Sequence, residues 1–107
     1  MNLPTQKPDR VPPRRRYLVH LCSLHDEGCR GRRYFARIQL WTARSSANAK
    51  TYERVFADEY ELIDTMNPLL PRGSDVRNVI DHIESLDGFL YLLHLSSEQA
   101  SSLGWRE

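Results

Sequence analysis

Apolar side chains recur at every second position twice near the start of the chain. Tyr17, Val19 and Leu21 form the first set, and Tyr34, Ala36, Ile38 and Leu40 the second, with a polar, glycine-containing stretch at residues 26–31 between them. Period-two apolarity on both sides of such a loop predicts a β-hairpin over residues 17–42. A loop centred near Gly28 sets Leu21 opposite Ala36, Val19 opposite Ile38 and Tyr17 opposite Leu40. That register gathers the apolar residues on one face, and a slip of one residue would scatter them. The second face then carries Arg16, His20, Cys22, Phe35, Arg37, Gln39 and Trp41, with Cys22 opposite Phe35, His20 opposite Arg37 and Arg16 opposite Trp41.

Residues 43–50 are small and polar and read as a connection. Beyond them Tyr52, Val55, Phe56, Tyr60, Ile63 and Met66 recur at spacings of three and four, the mark of an amphipathic helix. The spacing predicts helix over residues 57–66. Residues 51–56, rich in Thr, Tyr, Val and Phe, fit a third strand as well as a helix. Pro68 and Pro71 end the segment. Ser74 is the expected N-cap of a second helix, with Asp75 in its first turn and Val76, Val79, Ile80 and Ile83 as its buried stripe. Asp87-Gly88 turns the chain into residues 89–95, which are apolar on both faces and read as a central strand covered on both sides. Ser96 and Gln99 make a capping box for a short last helix, stopped by Gly104. The expected fold is α+β: a small antiparallel sheet of three to four strands, built from the N-terminal hairpin and a central strand near 88–95, with two to three helices packed on one face.

Length and composition then bound the organisation. At 107 residues, 40% hydrophobic and 27% charged, the chain suits one ordinary globular domain. Residues 1–13 read as a flexible, proline-rich basic arm, and 14–107 as a single α+β domain. The longest apolar run, residues 89–93, is too short to span a bilayer, and the N-terminus lacks the apolar core of a signal peptide. The expectation is a cytoplasmic protein with reduced thiols and no membrane partner.

Charge is distributed unevenly. Residues 1–50 hold eleven Lys/Arg against three Asp/Glu, a net of +8, and residues 51–107 hold four against eleven, a net of −7. Such a split signals a basic surface for nucleic acid or an acidic protein, or two halves that complement each other internally or across a homodimer.

His20, Cys22, His25 and Cys29 are four zinc-competent side chains within ten residues. No Cys-x2-Cys knuckle is present, and the hairpin register keeps Cys29 near the loop tip, away from Cys22, so neither zinc nor a disulfide is expected. The carboxylates spread along two helices as solvated faces rather than converging in a cleft. No phosphate loop, nucleophile elbow or metalloprotease motif occurs. The chain therefore reads as non-enzymatic and without a cofactor. Nucleic acid needs cations for its phosphates and flat rings for its bases. The candidate binding residues are Arg14, Arg15, Arg16, Arg32, Arg33 and Arg37 for phosphates, with Phe35 and Trp41 for stacking. The first expectation is a small nucleic-acid-binding module. The alternative is a protein–protein interaction module, an adaptor or inhibitor, using the basic hairpin and acidic helices. A third arrangement buries Phe35, Trp41, Leu18 and Cys22 as a second small core with the arginines snorkelling out.

Overall fold

The computed structural model describes residues 14–25, 32–41, 50–85 and 88–106, without the side chains of His25, Arg32 and Ser85. The expected arm at residues 1–13 lies outside them. Strands β1 (Arg15–His25), β2 (Arg32–Leu40) and β3 (Thr51–Phe56) form an antiparallel meander. Helix α1 (Glu59–Met66) follows, then two 3-10 turns, Asn67–Leu69 and Val76–Val79, and helix α2 (Ile80–Ser85). Strand β4 (Phe89–Leu95) returns to pair antiparallel with β1, and α3 (Ser97–Ser101) ends the order. The four-stranded sheet runs β3-β2-β1-β4. This is the α+β fold expected, with the helices on one face.

Register follows the alternation. Tyr17 faces Leu40, Val19 faces Ile38 and Leu21 faces Ala36, and all but Leu40 of these six are buried. Against this face pack Leu62 and Met66 of α1, Val76 and Ile83 around α2, and Ala100, Leu103 and Trp105 at the C-terminal end. Hydrogen bonds from Ser23 Oγ to the Ile83 carbonyl (3.0 Å) and from the Tyr34 hydroxyl to Glu84 tie α2 to the hairpin.

Two expectations are corrected, and one left open is settled: residues 51–56 are strand, so the three-and-four spacing joined residues of two different elements. Only Leu62 and Met66 form the fully buried side of α1, while Val55 and Tyr60 face outward. The cap of the second helical segment is Asp75, one residue after Ser74, because its carboxylate accepts the Arg77 amide directly. The largest correction concerns β4. It is an edge strand, not a central one, with β1 its ladder partner and Leu90 and Leu92 exposed. Its second apolar face belongs to the surface.

The C-terminal turn closes the core from below β3. Trp105 meets the rings of Tyr17 (5.3 Å between centroids) and Tyr52 (5.1 Å) edge to face. Gly104 delivers it there at φ +95°, with space for a Cβ closed by the Glu53 carbonyl oxygen at 2.8 Å. Backbone on both sides leaves nothing to yield, so Gly104→Ala should destabilise the fold by about 1–3 kcal/mol from backbone strain alone. Urea unfolding checks this; a variant as stable as wild type would show that the turn relaxes elsewhere.

Candidate interaction surface

Strand alternation that fills one face of the sheet with core necessarily presents the other residues together. Among the described residues no helix covers that second face. Its rows run across all four strands: Leu90, His20, Arg37 and Glu53 in one, and Leu92, Leu18, Gln39 and Thr51 in the next. Cys22, Phe35 and Val55 make a third row on β1–β3. His94, Arg16 and Trp41 make a fourth, fixed by Arg16 Nε donating to His94 Nε2 (3.1 Å) and by the Trp41 amide donating to the Arg16 carbonyl (2.9 Å).

The candidate residues divide on this geometry. Arg16, Phe35, Arg37 and Trp41 share the open face that the register assigned them, and Arg33, paired with Leu24, lies on it too. Arg15 belongs to the opposite side of β1, in register with Leu95, so the arginine triplet is split by the pleat. Arg14 precedes β1 and is exposed. Arg32 pairs with His25 in the ladder, but their side chains, like Cys29, lie outside the described residues. Cys22 Sγ sits 3.5 Å from the His20 ring nitrogens and is not part of a disulfide. Among the described residues no group of three or more His, Cys, Asp or Glu converges. Gly88 packs on this pair at φ +99°, where a Cβ would stand 2.4 Å from the Leu21 carbonyl oxygen and 2.7 Å from His20 Nε2. Its contact positions the start of β4.

Arg37 is already engaged. Its Nε donates to Glu53 Oε2 at 2.7 Å, and its guanidinium carbon lies 5.3 Å from the Phe35 ring centre. The pair is half exposed and worth at most about 1 kcal/mol, yet it partly neutralises one expected phosphate contact and covers one expected stacking ring. Leu24, Val55, Leu90 and Leu92 lay outside the sequence-based site. They are 60, 61, 54 and 51% exposed and, with Trp41 at 43%, give this face five of the six large exposed apolar side chains among the described residues. Residues 89–95 carried the signal, since a two-sided apolar strand is either central or half on display. Between Leu18, His20, Arg37, Gln39, Thr51 and Leu90 the face dips into a hollow of about 270 Å³.

A larger cleft, about 590 Å³, lies where β4 meets residues 68–71, with Arg14, Arg16, Leu92, His94 and Gln99 also on its lining. The loop forming its far wall is clasped shut. Asn67 Nδ2 donates to Asp75 Oδ1 (3.0 Å), the Val76 amide donates to Asn67 Oδ1 (2.8 Å), and Arg77 forks onto both Asp75 oxygens.

Comparison with protein-family models, with curated proteins and with solved structures finds no match to this chain. No helix among the described residues is long and apolar enough to cross a membrane.

The clasp gives a pH dependence. Hydrogen bonds from the Arg77 side chain, then its backbone amide and the Asn67 amide, hold the Asp75 carboxyl well below the usual carboxylate range. The folded chain therefore binds fewer protons than the unfolded one below the ordinary aspartate value of about 3.9. The clasp contributes fully above that value and is lost as pH falls through the depressed one. Wild type should be more stable than Asp75→Asn near neutrality, and their urea midpoints should converge as pH drops from about 5 to about 2. Parallel curves would show that the clasp adds nothing.

Proposed function

We propose that this protein is a non-enzymatic interaction module whose open sheet face docks a partner protein. The observation that carries the reading is that Leu24, Trp41, Val55, Leu90 and Leu92 are all exposed on one sheet face, which among the described residues has three arginines and Glu53 as its one carboxylate. Interface centres are enriched in aromatic residues and Arg and depleted of Lys and acids. Covering these half-exposed side chains yields roughly 1 kcal/mol each. About 5 kcal/mol in total only begins to offset the 4–15 kcal/mol cost of association. A partner must therefore also use the hollow at Leu18, His20, Arg37 and Leu90, where one inserted side chain would act as an anchor.

Nucleic-acid binding is the second reading, supported by Trp41 and Arg16 lying side by side with Arg33 on the same face. Aliphatic side chains, however, give bases nothing flat to stack on, and Leu90, Leu92, Leu18 and Val55 occupy much of the face. The two readings separate by variant. Capture of partners from nuclease-treated native extract should fall at least tenfold for Leu90→Ser/Val55→Ser, with circular dichroism unchanged. Anisotropy with labelled single- and double-stranded oligonucleotides, from about 50 to 300 mM salt, should show no binding tighter than non-specific levels. Micromolar oligonucleotide binding that is lost in Trp41→Ala and Arg16→Ala, with capture unaffected by the Leu90/Val55 change, would replace the first reading with the second.

A further inference from the structure

An edge strand presents a row of unmade backbone hydrogen bonds, and proteins blunt such rows with charge, proline or bulges. The two edges of this sheet are treated differently. β3 reads TYERVF and carries Glu53 and Arg54, with Arg54 tied to the Ser102 carbonyl (2.5 Å). β4 reads FLYLLHL, with neither a carboxylate, a lysine, an arginine nor a proline. The 590 Å³ cleft runs beside this unblunted edge, and its lining combines aliphatic Leu92 with Arg14, Arg16 and His94 and, among the described residues, contains no acidic side chain. Among the described residues neither Arg14 nor Arg16 makes an ion pair.

We propose that this cleft binds an extended acidic segment of a partner protein, added antiparallel to β4 as a fifth strand. The proposal deepens the protein-binding reading above and rests on it. Antiparallel addition continues the sheet, whose three pairings are all antiparallel. In that direction the residue opposite His94 precedes the one opposite Leu92 by two, and both fall on the open face. His94 stands in row with Arg16, and Leu92 is half exposed. The segment recognised is therefore acidic–x–aliphatic: a carboxylate reaching Arg16 and Arg14 across His94, and an aliphatic side chain covering Leu92. Backbone hydrogen bonds supply affinity and the alternating pockets supply selectivity. A second copy of this chain fits less well, since FLYLLHL would bring no carboxylate to the two arginines.

The test uses fluorescein-labelled eleven-residue peptides of alternating Thr and Val with a central Glu-Thr-Leu or Lys-Thr-Leu, titrated with the full chain and followed by anisotropy. The Glu peptide should bind saturably, and the Lys peptide at least tenfold more weakly. Arg16→Glu should reverse that preference, which a merely unfolded variant would not do. Two versions of the Glu peptide, N-methylated on alternate amides in opposite phases, should differ, one losing binding and the other keeping it. Tyr60→Ser, on α1 and away from the open sheet face, should leave peptide binding unchanged. Equal binding of Glu and Lys peptides, no binding at millimolar concentration, or equal loss with both methylation phases would overturn the proposal. So would a concentration-dependent dimer in sedimentation that Leu92→Lys abolishes and the Glu peptide does not dissociate, or displacement of the peptide by an oligonucleotide. Loss of peptide binding with Leu90/Val55-dependent capture intact removes the cleft alone. Intact peptide binding without that capture removes the open-face reading alone.

Discussion

The molecule depends on the register in which β1 and β2 pair. Val19, Leu21, Ala36 and Ile38 are fully buried because each stands opposite another apolar residue on one side of the pleat. Slipping the pair by one would put these residues in water and bring His20, Arg37 and Cys22 against α1 and α2, an exchange no packing could offset. Everything on the helical side takes its place from this surface, from Leu62 and Met66 to the Trp105 ring beneath Tyr17. The open face follows from the same constraint. Once the apolar parity is committed to the core, the other parity must share the far side, whatever its chemistry.

That is why the hairpin was legible from the sequence and the fourth strand was not. Tyr17 to Leu40 state their register through alternation, and the structure keeps every cross-strand pair deduced from it. Phe89 to Leu95 offer no alternation, because Leu90 and Leu92 are as apolar as Leu93 and Leu95. Pattern alone cannot separate a strand covered twice from one covered once with leucines facing water. Position in the sheet decides it, and that is set by non-local pairing with β1. Thr51 to Phe56 stayed open between strand and helix for a different reason. Val55, Phe56 and Tyr60 happened to match a helical period across a strand–helix boundary, and the Asp58 cap was the true marker, accepting from the Glu61 amide at 2.9 Å. Of the candidate site, the arginine and aromatic members on β2 could be read directly, as could Arg16. The aliphatic members could not, since their exposure depends on where β4 lies.

The charge asymmetry resolves in part into local duties. Asp58 caps α1, Asp75 closes the loop behind the cleft, and Glu84 receives the Tyr34 hydroxyl. Glu61 accepts the Ala57 amide and stands 3.8 Å from Arg54. These carboxylates of the second half are engaged within the domain, and among the described residues the Arg37–Glu53 ion pair links the two halves. Arg14 and Arg33, by contrast, are exposed.

The unequal treatment of β3 and β4 also sets the valence of the molecule. A sheet that could be extended at both margins would behave as a bifunctional monomer, able to grow into an open polymer. With Glu53 and Arg54 on one margin and FLYLLHL on the other, only one margin is free of charge. If a partner's strand adds through β4 as proposed, the assembly would terminate at one-to-one, its stoichiometry limited by the chain itself rather than by the supply of its partner.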